Sequence, residues 1–181
     1  MVAAVVLAAG ASTRFGSPKQ RLLLPDVLAR VGAAVSIGEI VVVLGAHDAD
    51  SGGHRVVRCS GWKAGPGASL RCGLAALGAD VEAAVAVLAD GPDLAPEAIE
   101  RVVEAWRATR APIVAACYAG VRGHPLILAR TAWADVPDEG LRGRLPLLVP
   151  CDDLGAPGDV DLPADLPRRF RDRSGEPMQD R

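Results

Sequence analysis

Two cations and a small set of carboxylates carry the chemistry this sequence can offer. Arg14 and Lys19 stand five residues apart, shortly after the apolar run Val2 to Ala8 gives way at Gly10. Ala11, Ser12 and Thr13 fill the space between that glycine and the arginine. A loop with so little side-chain bulk lets backbone N–H groups come close to an anion. The run before it is short, valine-rich and not alternating, which predicts a strand buried on both faces of a parallel sheet. A buried strand emptying into a small-residue loop with fixed positive charge is the layout of a nucleotide-phosphate site at the carboxyl edge of a sheet. The loop is not that of the P-loop ATPases, because Gly10 and Gly16 are six apart and Lys19 lies beyond both. Nor is it the G-x-G-x-x-G fingerprint, since Ser12 takes the second glycine position.

The carboxylates come next. Asp90 directly follows a second apolar run, Ala83 to Ala89, and so falls at the same sheet edge as the Gly10 loop. There it can hold Mg²⁺ against a triphosphate, since magnesium takes one or two protein carboxylates and completes its shell with phosphate and water. It can equally be a turn carboxylate, which is the better reading of Asp93. Asp159 and Asp161 are two apart, so an extended segment points both to one side. In Gly61 to Leu74, Gly67 and Ser69 open a helix whose N-terminus favours negative charge and offers little steric bulk to a base and ribose. Trp62 either stacks a ring or fills a groove, and Arg71 meets either a substrate phosphate or a surface acid. His124, within Arg122 to Leu128, is by default structural.

These residues need a frame. Leu24, Val27, Leu28 and Val31 have helical spacing within a helix expected from Leu22 to Val35, with Pro25 in its first turn. Glu39 to Leu44 and Arg55 to Cys59 read as strands, and Ala68 to Leu77 as a helix starting near Pro66 or Gly67. Pro96 to Thr109 carries Ile99, Val102, Val103 and Trp106 on one face, the clearest amphipathic helix in the chain. Pro112 to Tyr118 is a strand, and His124 to Leu128 pairs back on it antiparallel. Ala129 to Leu148 is expected as two helical pieces broken at Pro137, followed by a short strand from Val149 to Asp153. Val160 to Leu166 turns into a last short helix. Strands alternating with helices give a three-layer α/β/α sandwich, a mainly parallel Rossmann-like sheet with a small antiparallel element. One domain is expected over residues 1–167, with 168–181 a disordered polar tail.

Bulk composition excludes several classes. Half of the 181 residues are hydrophobic and the net charge is −2, which suits neither a disordered chain nor a polybasic nucleic-acid binder. Aromatics make up 3%, so Ala, Val and Leu must build the core. Cys59, Cys72, Cys117 and Cys151 form no C-x-x-C pair and read as buried, reduced thiols. The first apolar run is too short to cross a bilayer or serve as a signal peptide. A cytoplasmic protein without nucleic-acid or membrane partners is expected.

The string LAAGASTRFGSPK resembles the signature of nucleotidyltransferases that move a nucleoside monophosphate from an NTP onto a phosphate. Within them the chain looks most like the molybdenum cofactor cytidylyltransferases, whose Gly-His-Pro triplet it matches at Gly123 to Pro125. The string around Asp90 is similar to the family's D-x-P-x-L magnesium motif, and Asp159 to Pro163 to its D-x-D-x-P. The fold implied is that of the nucleotide-diphospho-sugar transferases. The resemblance implies that Arg14 and Lys19 are catalytic. It implies that Leu7, Ala8, Ala9, Gly10, Gly67 and Ser69 bind the nucleotide. His124 would face the acceptor, and Asp90, Asp161 and Asp159 would hold Mg²⁺. The substrates implied are CTP and the terminal phosphate of molybdopterin, with a molybdoenzyme as recipient of the product. The guanylyl branch, using GTP, usually reads LAGG where this chain has Leu7-Ala8-Ala9-Gly10. The chain departs from the family after Lys19, where the usual longer segment with a Gly-x-Pro turn is missing. That departure lends weight to a second class of reading, a non-catalytic carrier of pterin dinucleotide to molybdoenzymes.

Overall fold

The computed structural model describes residues 1–171. In chain order the elements are Val2–Ala8 (β1), Gln20–Gly32 (α1), Glu39–Leu44 (β2), Arg55–Arg58 (β3), Pro66–Ala75 (α2) and Ala83–Leu88 (β4). Pro96–Thr109 (α3), Ile113–Tyr118 (β5), Val121–Ala129 (β6), Leu147–Pro150 (β7) and Arg168–Arg171 (α4) follow. The strands form one sheet in the order β3-β2-β1-β4-β6-β5-β7. Only β6 runs against its neighbours, antiparallel to both β4 and β5. The other neighbours pair in parallel. This is the α/β Rossmann-like arrangement expected from the alternation of apolar runs.

The sheet is buried on both faces because its strands alternate between two cores. Ala4 and Val6 of β1 point with Val42 and Val85 toward α1 and α3, meeting Leu24, Val27, Ile99 and Val102. Ala3 and Val5 point with Val41 and Val43 toward α2, meeting Leu70 and Leu74. The valine-rich runs therefore have no polar side to display, which is why they lack alternation. β5 and β6 join through a two-residue turn, Ala119 and Gly120, both at positive φ (50° and 77°), as a tight hairpin of the right twist requires.

Several expectations are corrected. The region 129–148 is not helical apart from a 3-10 turn at Arg130–Ala132. Pro137, Gly140, Gly143 and Pro146 interrupt any helical ladder there. Its carbonyls are taken up by other partners, Val136 O by Arg71, Asp138 O by the Gly67 amide, and Leu141 and Arg144 O by Arg122. The last strand accordingly begins at Leu147, not Val149. α1 begins at Gln20, so Pro25 sits inside the helix and not in its first turn. Of the segment expected as a disordered tail, Arg168–Arg171 is helical with Phe170 fully buried, and 172–181 lie outside the described residues. Cys59 and Cys72 form a disulfide, because α2 packs over the end of β3 and brings their Cα atoms to 5.8 Å. Cys117 and Cys151 are free and buried, as expected of small apolar side chains. Among the described residues no helix is long and apolar enough to cross a membrane.

Gly73 shows how tightly α2 lies on the sheet. A Cβ there would come within 2.4 Å of Val5 Cγ1 and 2.8 Å of Val43 Cγ2. Gly73→Ala gains about 1 kcal/mol of helix propensity. It should lose about 1–3 kcal/mol to overpacking. We expect a lower urea midpoint for this variant; an equal or higher one would mean that α2 can lift from β1 at no cost.

Candidate active site

β1 and β4 are adjacent and parallel, so the loops leaving them open at the same edge. The first supplies Gly10 to Lys19, the second Asp90. A third piece comes from far along the chain. Residues 157–161 are not a regular element, yet they are fixed. Pro157 O accepts from the Asp93 amide, and the Val160 amide donates to Asp90 O. Val160 is 2% exposed and packs with Leu23, Leu166 and Phe170. Its burial turns its two neighbours, Asp159 and Asp161, the other way, since alternate residues of an extended segment face opposite sides. Asp165 then accepts from the Asp161 and Leu162 amides and holds the following turn.

The result is an acidic cluster. One carboxylate oxygen from each of Asp90, Asp159 and Asp161 lies within 4.8 Å of the others. Lys19 Nζ is 3.0 Å from Asp90 Oδ2 and 3.6 Å from Asp161 Oδ1, and it donates to Val160 O at 2.6 Å. Arg14 Nη1 lies 2.6 Å from Asp161 Oδ2. Burial, then the charges of Asp90 and Asp161, push the Asp159 carboxyl up, against the opposing pull of Lys19 and Arg14. A carboxyl that resists ionising among other carboxylates marks a place short of positive charge, and the all-oxygen donor set fits a hard divalent cation.

Two cavities flank this cluster, one bordered by Asp90 and Asp161 and the other by Asp159. One of about 280 Å³ is lined by Leu7, Ala8, Gly10 to Phe15, Lys19, Gln20, Asp90 and Asp161, and its surface is mainly polar. The other, about 470 Å³ and mainly apolar, is lined by Val87, Leu88, Leu94, Tyr118, Val121, Arg122, His124, Pro157 and Asp159 among others. A third space, of about 320 Å³, adjoins the first and is walled by Leu7, Ala9, Gly10, Trp62, Pro66 and Ser69.

Most of the expected residues are thus gathered, but not all as expected. Leu7, Ala8, Ala9, Gly10, Arg14, Lys19, Ser69, Asp90, Asp161, Asp159 and His124 each border one of these three spaces. Gly67 lines none of them. Its amide is spent on Asp138 O, and a Cβ would lie 1.7 Å from Pro137 O, so it is a close-packing position for the 137–140 segment. Arg71 binds Val136 O and pairs with Asp138, which resolves its two readings in favour of a surface pair. Asp93 pairs with Arg169 at 2.7 Å. Gln20, 4% exposed, went unnoticed in the sequence. Its spacing on the buried face with Leu23, Leu24 and Val27 was the available signal, a polar residue where the helix should be apolar.

The family profile of the MobA-like NTP transferase domain matches residues 4–144. The chain belongs to that family. It is a nucleotidyltransferase. Among solved structures, the homologue of Mycobacterium tuberculosis Rv0371c from Mycobacterium sp. strain JC1 is 26% identical with a TM-score of 0.76, over 94% of this chain and 96% of that one. Rv0371c of M. tuberculosis H37Rv is 30% identical with a TM-score of 0.74, over 94% and 97%. A crystal structure of Rv0371c in complex with manganese aligns at 28% identity and a TM-score of 0.71, over 94% and 98%. No curated protein sequence matches the transferase.

His124 sits between the apolar cavity and a smaller one beneath Leu126 and Leu141. Burial pushes its imidazole down to about 4, with Asp90 pulling the other way and Arg122 adding to the drop. The folded transferase therefore keeps His124 neutral where an unfolded chain already takes a proton. Between pH 6.5 and about 4 the unfolded state binds more protons, so stability falls as pH falls through that window. Urea midpoints at several pH values should show this decline, and His124→Gln should flatten it. An equal decline in the variant would assign the loss to other groups.

Proposed function

We propose that the transferase moves CMP from CTP onto the terminal phosphate of molybdopterin and releases pyrophosphate. The observation that carries this is the placing of two unlike cavities on either side of one acidic cluster. The polar cavity, with the Gly10 loop, Arg14 and Lys19, suits a triphosphate. The apolar cavity opens on Asp159 at the far side of the same cluster and suits the body of an acceptor. A reaction that joins an acceptor phosphate to the α-phosphorus of a nucleotide needs this juxtaposition. The acceptor monoester is already anionic at neutral pH, since its second pKa is about 6. No general base is needed, and the task is to bring two anions together and stabilise the leaving charge.

The chain's own residues divide that task. Arg14 reaches into the triphosphate cavity and stabilises charge developing on the phosphates. Lys19, held among Asp90, Asp161 and Val160 O, presents a cation beside the departing pyrophosphate. Asp90, Asp159 and Asp161 would hold Mg²⁺, which would supply positive charge to offset that of the phosphates. The manganese in the Rv0371c complex supports a divalent ion in this fold. Ser69 and the backbone of Leu7 to Gly10 flank the space beside the triphosphate cavity where a base and ribose fit. His124, neutral and on the acceptor side, can donate one hydrogen bond without adding charge. The apolar lining suits the flat face of a ring system better than a sugar, which shows hydroxyls on every side, and Arg122, His124 and Asp159 are there for the polar edge of such a ring. The Gly-His-Pro match and Leu7-Ala8-Ala9-Gly10 support the pterin and cytidine over their relatives.

Pyrophosphate release measured across the four NTPs, with and without molybdopterin, tests this reading directly. The expected result is release with CTP that depends on molybdopterin. Release with GTP instead would move the protein to the guanylyl branch, and none with any NTP would favour the carrier reading. Arg14→Ala should keep the fold and lose roughly 10²-fold in rate. Lys19→Ala should lose as much and also loosen the 159–161 segment, because Lys19 bonds to Val160 O.

Asp90→Asn separates a metal ligand from a turn former. The amide offers the metal a dipole in place of a charge, so turnover should fall far more than stability, and added Mg²⁺ should recover part of it. Superimposable activity curves against Mg²⁺ concentration would leave Asp159 and Asp161 as the metal candidates.

A further inference from the structure

The Gly10 loop has a one-sided pattern of hydrogen bonds. Its four successive carbonyls, from Ala9 to Ser12, are all engaged by the protein. Ala9 O accepts from the Ala46 amide at 3.1 Å, and Ser12 O from the Phe15 and Gly16 amides, both at 3.1 Å. Gly10 O accepts from Gln20 Nε2 at 2.6 Å. Ala11 O lies 2.9 Å from His47 Nε2, and because a carbonyl only accepts, that nitrogen carries a proton. The amides tell the opposite story. Among the described residues, those of Ala11, Ser12, Thr13 and Arg14 donate to no protein group, and these residues line the polar cavity. Ser12 sits at φ 54°, in the left-handed region, as happens where successive N–H groups converge on one concavity.

Gln20 is held so that it cannot turn its amide round. Ser12 Oγ donates to its Oε1 at 2.8 Å, which leaves Nε2 facing Gly10 O, and the side chain is buried. His47 reaches the loop from the segment after β2. Gly45 permits that approach, since a Cβ there would lie 2.6 Å from Ala9 O.

We infer that Gln20 and His47 are positioning residues that clamp the loop carbonyls away from the cavity, so that its amides face the triphosphate. Without them a peptide could rotate and present a carbonyl oxygen to an anion. The inference rests on the reading of this loop as the triphosphate site. Neither residue touches the reacting atoms, and both act through the loop backbone.

Binding of inorganic pyrophosphate with Mg²⁺, measured by calorimetry, tests the clamp without any acceptor. His47→Ala should weaken binding about tenfold, the loss expected for misdirecting one donor to a charged group. His47→Gln, whose amide nitrogen can stand where Nε2 stood, should recover most of it. Gln20→Leu should weaken it at least as much. In turnover, KM for the NTP should rise in His47→Ala while KM for the acceptor stays as in wild type. Wild-type affinity in His47→Ala overturns the clamp, and so does loss of binding in His47→Gln equal to that in His47→Ala. A wild-type protein that binds no pyrophosphate takes down the triphosphate reading of the loop, and the clamp with it.

Discussion

Three carboxylates within a few ångströms of one another set the terms for the rest of this molecule. Burial raises the Asp159 carboxyl first, and the charges of Asp90 and Asp161 raise it further, the mark of like charges held so close. Lys19 and Arg14 relieve part of that repulsion from the neighbouring loop. The arrangement is not a device for stability, because ion pairs that water still reaches contribute little to folding. It makes sense as a socket for positive charge and for the phosphates that bring a metal ion with them.

Holding these groups together demands more rigidity than loops ordinarily provide. β1 and β4 supply it for two of the three pieces, since adjacent parallel strands release their loops side by side. The third piece is anchored by a small core of its own, in which Val160 and Phe170 close over Leu23 at the start of α1. The lysine side of the site and the acidic side therefore share one apolar contact. A shift of α1 would move Lys19 and the Asp159–Asp161 pair together, which preserves their mutual distances.

The parts of this structure that could be read from the sequence are those where one residue type has one physical use. Val2–Ala8, Glu39–Leu44 and Pro96–Thr109 fall at their expected bounds, because uninterrupted valine suits a buried strand and a four-fold apolar stripe suits a helix. That Arg14, Lys19 and Asp90 would meet at one sheet edge was legible from their places after strands, whereas the Asp159–Asp161 pair joined them only through its two-residue spacing and the family resemblance. The segment 129–148 was not, because its shape depends on Arg71 and Arg122 reaching in from elsewhere to satisfy its carbonyls. Gly67 packs against the 137–140 backbone for a reason the sequence does not display: a glycine that admits a ligand and one that admits a neighbouring backbone look alike in one dimension. The disulfide between Cys59 and Cys72 was hidden by their thirteen-residue separation, which only the packing of α2 across β3 closes.

The reversed strand β6 gives the two cavities different prospects for change. The Gly10 loop is trapped between parallel strands, and any residue added to it must be accommodated by β1, α1 and the segment after β2 together. The wall of the apolar cavity, by contrast, is built at the tip of a hairpin, where Ala119 and Gly120 turn the chain beside Tyr118, Val121 and Arg122. A hairpin can lengthen at its tip without altering the register of the strands behind it. On the proposed assignment of the two cavities, descendants of this chain have a free variable on the acceptor side and almost none on the nucleotide side. In such a scaffold the second substrate can drift while the first is inherited unchanged.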